Sequence, residues 1–216
     1  MGVYDPPINP NTLTRAQKKQ ALRAINLIKE KRCGRLKGRT VADGSTQRGL
    51  YDKSETGSPT VATESLMASI IIDAYERCDS ATADIAGAYL KAYMKDFTIM
   101  KFIGASLEIL CGMDPKYLAF VTIENGVKVL YVKLVKAIYG CVQSALLLYQ
   151  LFNSKLRDFG FELNPYDSCV ANKTINGKQC TIVWYVDDMK ILHVDPTVVT
   201  SVIDKLEQFF GTMTVT

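Results

Sequence analysis

Two adjacent carboxylates, Asp187 and Asp188, interrupt an otherwise apolar and β-prone stretch of this sequence. The apolar runs Thr181 to Tyr185 and Ile191 to Val194 flank the pair, and this pattern predicts two strands joined near the acidic residues. Asp is favoured in turns, so an ordinary hairpin tip would also explain the pair. The flanks are nevertheless apolar enough to be buried, and neighbouring ionised carboxylates repel each other and resist desolvation. A divalent cation is the simplest compensation.

Asp84 is a third candidate ligand, because it ends the short predicted strand Ser80 to Asp84. Oxygen ligands from neighbouring strand ends suit Mg²⁺. Two such ions can stabilise the attacking and leaving oxygens of a phosphoryl displacement. Asp84 and Asp187 are 103 residues apart, so their spacing does not establish the site by itself.

The composition narrows the class of protein. The chain has 216 residues, of which 48% are hydrophobic and 22% charged, and such a chain can bury a core. The longest apolar run, near Leu66 to Ile72, is far too short to span a membrane. Six dispersed cysteines and a single histidine exclude a structural zinc site and favour free thiols in a reducing compartment. The first residues lack a basic start and an apolar segment, so no signal peptide is expected.

The net charge of +4 conceals an asymmetry. Residues 1–50 contain eleven Lys and Arg against three Asp and Glu, a net charge of +8, whereas the remainder carries −4. A basic segment followed by an acidic one suits a phosphate-binding surface beside a carboxylate metal site. A solvated helix face would explain the run from Arg15 to Arg39 equally well.

The order of predicted elements indicates the fold class. Helices are expected over residues 14–32, 60–77, 143–159 and 196–210, with Thr14 capping the first and Ser58-Pro59 opening the second. A strand is expected over residues 35–42, and hairpin turns at Asn125-Gly126 and Asn176-Gly177. This order does not repeat βαβ, so the prediction is an α+β fold with helices packed on one face of an antiparallel sheet.

Several segments in register resemble the reverse transcriptases of copia-type LTR retrotransposons. Tyr185-Val186-Asp187-Asp188 resembles their Tyr-x-Asp-Asp motif, and Asp84 to Leu90 resembles their first-aspartate motif, D-V-x-x-A-F-L. Lys136 to Ser144 resembles K-S-L-Y-G-L-K-Q-S, and Lys37 to Gly44 with Gln47 resembles K-A-R-L-V-A-x-G-x-x-Q. Gly160-Phe161 with Asp167 matches a further G-F…D segment. The order and spacing hold from about residue 14 to 215.

The resemblance implies the fingers and palm of a right-hand polymerase. Asp84, Asp187 and Asp188 would hold two Mg²⁺ ions, or Mn²⁺, with the Ile85 carbonyl as an extra ligand. The primer 3′-hydroxyl would attack the α-phosphate of a dNTP and release pyrophosphate. The implied partners are an RNA or DNA template with its primer, dNTPs and other parts of a retrotransposon polyprotein, with no membrane. The implied location is intracellular, in cytoplasmic virus-like particles or the nucleus.

The resemblance also assigns residues to substrates, and each has a structural alternative. Tyr89 matches the aromatic that blocks a ribose 2′-hydroxyl, but it could be a core aromatic. Lys37 and Arg39 match basic residues near the triphosphate, but they could be solvated strand charges. The other assigned residues are Tyr139 and Gly140 for the incoming nucleotide or template, Gln143 for template backbone or only for starting its helix, and Tyr185 and Val186 for template and primer.

The implied organisation divides the chain into five ranges. These are an extended lead-in over 1–13, mainly fingers over 14–80, palm over 81–104, an insertion with a hairpin over 105–140, and palm over 141–216. The family often continues Q-S-P-R-x-W, whereas residues 143–148 lack the Pro, Arg and Trp. The family's primer grip, thumb and RNase H lie beyond the matched region, so a shortened enzyme is expected. The alternative is a non-catalytic nucleic-acid-binding relic. A phosphoacceptor receiver domain is disfavoured because the acidic pair does not follow the first strand.

Overall fold

The computed structural model describes residues 2–216, and across them the chain forms six α-helices, four short 3-10 helices and twelve strands. The helices are α1 Arg15–Gln20, α2 Lys53–Thr56, α3 Thr63–Glu76, α4 Ala105–Met113, α5 Ser144–Asp158 and α6 Pro196–Phe210. The strands are β1 Tyr4–Ile8, β2 Leu22–Glu30, β3 Leu36–Asp43, β4 Asp79–Ile85, β5 Ile99–Ile103, β6 Thr122–Glu124, β7 Val127–Leu134, β8 Glu162–Leu163, β9 Val170–Ile175, β10 Lys178–Tyr185, β11 Asp188–His193 and β12 Met213–Val215.

The chain divides into two compact units. The first contains the residues up to Thr56 together with Ala92–Leu147, and the second contains Gly57–Lys91 together with Leu148–Thr216. Each unit has its own sheet and its own buried apolar cluster. The assignment of the five sequence ranges to fingers and palm stays a prediction.

The sheet of the first unit has the order β1-β7-β5-β2-β3, and β6 also pairs with β7. Only the β2–β5 pairing is parallel among its strand pairs in the described chain. Met100 lies opposite Val132 and Phe102 opposite Leu130, and all four side chains are fully or almost fully buried. Alternate positions of β5 and β7 therefore form the centre of this core.

The sheet of the second unit is antiparallel throughout, in the order β12-β4-β11-β10-β9-β8. Helices α5 and α6 cover one face, where the Phe152 ring lies 5.1 Å from that of Trp184 and 5.7 Å from that of Phe210. Helix α3 is tied to the other face by an ion pair of 2.7 Å between Lys190 and Asp73. The predicted α+β fold, with an antiparallel sheet and helices packed on it, is confirmed.

The prediction of one helix over residues 14–32 is wrong beyond Gln20. Thr14 does cap helix α1, but the chain is extended from Leu22 onward and pairs with β3. Leu22 and Ala24 are buried at alternate positions, which is the periodicity of a strand. Pairing with a partner strand outweighs the modest helix propensity of this segment.

The other predicted elements agree more closely with the structure. Both Asn-Gly hairpins form, and all four turn residues have positive φ, as a type I′ turn requires. The second predicted helix begins at Thr63, so Ser58-Pro59 lies upstream of it and does not open it. The last helix spans Pro196–Phe210, as predicted. The six cysteines are free. No helix among residues 2–216 is long and apolar enough to cross a membrane.

Candidate functional site

The tip of the β10–β11 hairpin carries the Tyr-x-Asp-Asp motif. Tyr185 pairs with Asp188, so only Val186 and Asp187 form the turn. Val186 has a φ of 59°, which corresponds to a type II′ turn with its positive φ at the first central residue. Glycine normally occupies that position, because a β-branched side chain there is strained. The structure thus holds a strained residue immediately before the predicted catalytic residues Asp187 and Asp188.

The first aspartate lies directly across the sheet from this tip. β4 pairs antiparallel with β11, and Asp84 lies opposite Asp188. Facing residues of an antiparallel pair project from the same side of the sheet. The Ile85 N–H also donates to the Asp187 carbonyl at 3.1 Å, so the end of β4 is fastened to the turn. Non-local pairing has brought Asp84 next to the Asp187-Asp188 pair, from which it is far removed along the sequence.

The electrostatics of the tip reflect this crowding of negative charge. The pKa of Asp188 is raised, first by partial desolvation and then by the charges of Asp187 and Asp84. The pKa of Tyr89 is also raised, by burial and then by Asp187 and Tyr185. Tyr89 is half-buried beside the core formed with α5 and α6, and its role at the ribose stays a prediction. The Tyr89 ring packs at the edge of the core, and the charge of Asp187 acts on its hydroxyl.

The chemistry of these side chains fits a hard divalent cation. An open cavity of about 420 Å³ is lined by Asp84, Tyr185 and Asp188 among other residues of the second unit. The candidate donors are carboxylate oxygens, the type that Mg²⁺ prefers, and their mutual repulsion favours a cation. Among residues 2–216, no group of three or more His, Cys, Asp or Glu side chains is already gathered closely enough to hold a metal ion. The backbone places the carboxylates, and their side chains would have to converge on the ion.

The predicted nucleotide-binding cations lie on the β2–β3 ribbon of the first unit. Lys37 faces Lys29 across the ribbon, and Arg39 faces Leu27, so both predicted residues share one face with Lys29. All three cations are exposed. The Arg39 guanidinium lies over the Tyr139 ring at 4.6 Å from its centroid. The structure therefore brings together two of the predicted nucleotide-binding residues, Arg39 and Tyr139.

Gly140 and Gln143 lie in the same loop as Tyr139. Gly140 has a φ of 93°, and a Cβ there would overlap the Ala42 carbonyl oxygen. Gln143 precedes helix α5, is only 8% exposed, and its Oε1 has no hydrogen-bond partner among the described residues. Its role at the template stays a prediction, as do the roles of Tyr185, Val186 and the Ile85 carbonyl.

Two motif residues have structural contacts that the sequence did not assign. Asp167 accepts hydrogen bonds from the backbone N–H groups of Ala62 and Cys169, both at 2.9 Å. Gln47 is buried and accepts a hydrogen bond from the Val142 N–H at 3.1 Å. Their positions in recognisable motifs were the only signal in the sequence, and their partners are far away along the chain.

An antiparallel sheet covered by α5 and α6, with acidic residues at facing strand ends, is the arrangement expected of the palm of a right-hand polymerase. The chain belongs to the reverse transcriptase (RNA-dependent DNA polymerase) family, which residues 14–215 match. No curated protein matches the sequence.

Two telomerase structures are similar to this chain. The apo telomerase of Candida tropicalis, truncated from the C-terminal domain, has 11% identity and a TM-score of 0.44, covering 94% of this chain and 51% of that one. The telomerase of Candida albicans, in complex with the TWJ fragment of telomeric RNA, has 10% identity and a TM-score of 0.44, and the match covers 99% of this chain and 43% of that one. This chain thus spans about half the length of the first structure and less of the second.

Proposed function

We propose that this chain is the fingers-and-palm part of the RNA-directed DNA polymerase of a copia-type LTR retrotransposon, adding dNTPs to a primer 3′-hydroxyl. The observation that carries the proposal is the pairing of Asp84 with Asp188, beside Asp187 at the hairpin tip. The ordered motifs that resemble this group of enzymes support the same conclusion.

The proposed mechanism assigns the acidic tip to metal binding. Asp84, Asp187 and Asp188, with the Ile85 carbonyl, would hold two Mg²⁺ ions. Bound Mg²⁺ supplies charge neutralisation at the oxygens of the reacting phosphate. The β4–β11 pairing holds Asp84 and Asp188 on one side of the sheet, beside the hairpin turn that carries Asp187, so the backbone is in place and only the side chains would have to converge on the ions.

Tyr89 is proposed to exclude ribonucleotides. Its hydroxyl lies within electrostatic range of Asp187 and Tyr185, which supports a place beside the reacting sugar. Tyr89→Ala should then raise ribonucleotide incorporation relative to dNTP incorporation by roughly 10-fold or more. An unchanged ratio of kcat/KM values would make Tyr89 a core aromatic only.

The cations of the β2–β3 ribbon are proposed to contact phosphate. Lys37 and Arg39 would bind the triphosphate of the dNTP, since charge-assisted hydrogen bonds to phosphate are strong. Tyr139 and Gly140 would border the nucleotide. The partners of the enzyme would be a primed RNA or DNA template and the rest of a polyprotein, in cytoplasmic virus-like particles or the nucleus.

Primer extension on a primed RNA template with Mg²⁺ and dNTPs tests the function. Asp187→Asn should lower incorporation by roughly 10³-fold or more, because it removes one carboxylate from the acidic tip. Asp204→Asn is the matched control, since Asp204 is exposed on α6. Full activity of Asp187→Asn would show that the metal assignment is wrong. Binding of the primed template without any incorporation by the unaltered chain would favour the non-catalytic relic.

A further inference from the structure

Gln47 is a buried polar residue to which the proposed chemistry assigns no role. It lies in a short 3-10 turn, Gly44–Gln47, immediately after β3, and its side chain is 5% exposed. Its Oε1 accepts a hydrogen bond from the Val142 N–H at 3.1 Å. A buried amide that reaches 95 residues along the chain to one backbone group holds two segments together.

The backbones of these two segments also interlock. The Ala42 N–H donates to the Tyr139 carbonyl at 2.8 Å. A Cβ added at Gly44 would overlap the Gly140 carbonyl oxygen, and one added at Gly140 would overlap the Ala42 carbonyl oxygen. Two glycines therefore permit an approach that any side chain would block.

This interlock holds two predicted nucleotide-binding surfaces in register. β3 carries Lys37 and Arg39, and the loop of residues 139–143 carries Tyr139. The Arg39 guanidinium lies over the Tyr139 ring, 4.6 Å from its centroid, yet Arg39 lies on an exposed ribbon. An exposed long side chain loses rotamer entropy when it is fixed, so a rigid platform beneath it favours the bound geometry.

We propose that Gln47 is a positioning residue for nucleotide binding, which acts by fastening the 139–143 loop to the end of β3. This inference rests on the proposed polymerase function. It predicts a specific kinetic signature. Loss of the Gln47 hydrogen bond should weaken nucleotide binding while leaving the acidic tip, and hence the chemical step, unaltered.

Two pairs of matched variants separate this role from general packing. Gln47→Met keeps the length of the side chain and removes the acceptor, whereas Gln20→Met makes the same change at an exposed glutamine. Gly44→Ala places a Cβ against the Gly140 carbonyl, whereas Gly38→Ala, on β3, meets nothing within 4 Å. Neither control residue has an assigned role in catalysis or binding.

Hydrogen exchange and single-nucleotide incorporation are measured on the 216-residue chain and its four variants. Gln47→Met and Gly44→Ala should accelerate exchange of the Val142 amide and raise the KM for dTTP by about 10-fold, with kcat changed less than about twofold. The two control variants should change neither quantity. Unchanged Val142 exchange in Gln47→Met, or faster exchange with an unchanged KM, overturns the inference.

The design distinguishes failure of the inference from failure of the proposed function. If the unaltered chain incorporates no nucleotide, the polymerase proposal fails by itself. Equilibrium dialysis with dTTP then replaces KM, and an equal affinity of the unaltered chain and Gln47→Met overturns the positioning role. If Gly44→Ala does not fold, Gln47→Met alone decides the outcome.

Discussion

At the scale of single residues, Val186 stands out because its positive φ is sterically unfavourable for a β-branched side chain. A β-branched residue in the left-handed region costs roughly 1–2 kcal/mol. Val186 nevertheless has a φ of 59° between Tyr185 and Asp187. The pairings of β10 with β11 and of β11 with β4 over-determine the turn, so the strain persists. The valine therefore imposes an energetic cost on the tip that carries the proposed chemistry.

Replacement of Val186 by glycine should therefore be unusually mild. Relief of the strain should offset the lost side-chain contacts, leaving the free energy of unfolding within about 1 kcal/mol of its original value. Val183→Gly, in the same hairpin but buried with ordinary backbone angles, should cost roughly 3 kcal/mol. Urea unfolding followed by circular dichroism measures both. Equal losses at the two positions would show that Val186 stores no strain.

The repulsion at the acidic tip should make stability depend on divalent cations. Free Mg²⁺ at ten times its Kd should stabilise the chain by about 1.4 kcal/mol, a rise in Tm of about 3–6 °C. Asp188→Asn should raise the Tm without Mg²⁺, because it removes one of two facing charges, and should shrink the Mg²⁺-induced rise. Differential scanning fluorimetry with and without Mg²⁺ provides the test, with Asp204→Asn as control. A Mg²⁺ response that survives in both Asp84→Asn and Asp188→Asn would place the cation elsewhere.

At the scale of elements, the start of helix α3 depends on a carboxylate from a distant loop. The N-cap residue, Ala62, has no side chain that can cap the helix, and its N–H donates instead to Asp167. Burial raises the pKa of Asp167, but hydrogen bonds from Ser65, Ala62 and Cys169 outweigh it, so the pKa is lowered overall. Asp167, the acidic residue of the G-F…D motif, thus anchors the start of α3.

Asp167→Asn should reduce the free energy of unfolding by about 1–3 kcal/mol at pH 7, because hydrogen bonds to a charged acceptor are lost. A lowered folded-state pKa contributes stability that is fully present above the unfolded pKa of about 3.9. That contribution disappears as the pH falls through the folded-state pKa. The difference between the original chain and Asp167→Asn should therefore shrink in acid.

Urea unfolding at a series of pH values measures this difference. Asp158→Asn is the control, because that carboxylate is 55% exposed and pairs with Lys155 of its own helix. Its effect should stay within about 0.5 kcal/mol. A constant difference for Asp167→Asn across the acid range would mean that its carboxylate charge is not what holds α3.

At the scale of the whole molecule, charge is partitioned between the two units. The first unit has eighteen Lys and Arg against nine Asp and Glu, a net charge of +9, and the second has eight against thirteen, a net charge of −5. The sequence already showed that residues 1–50 are basic. The boundary between positive and negative charge, however, follows the two units and not the two halves of the chain. Segment 92–147 returns to the basic unit, and the acidic tip belongs to the other one.

The basic unit should dominate the salt dependence of nucleic-acid binding. Replacing Lys29 and Lys37 together by glutamine should weaken the salt dependence. The negative slope of log K against log salt should become shallower by roughly 1.5, since each phosphate contact contributes about 0.7–0.9 to its magnitude. Lys116→Gln should leave the slope unchanged, because Lys116 already pairs with Asp114. Fluorescence anisotropy with a labelled primer–template over a series of KCl concentrations gives the slope. An unchanged slope in the double variant would exclude this face of the ribbon from phosphate contact.

The sequence by itself determined the features that depend on local chemistry. The Asn-Gly turns, the α6 limits and the residue types of the acidic tip follow from short-range backbone preference and motif spacing. Only the tertiary structure decided what depends on distant partners. It made residues 22–30 a strand by pairing them with β3, set Asp84 opposite Asp188, and fastened Gln47 to Val142. Such contacts join segments far apart along the chain, and their energies exceed the small propensity differences that a local pattern records.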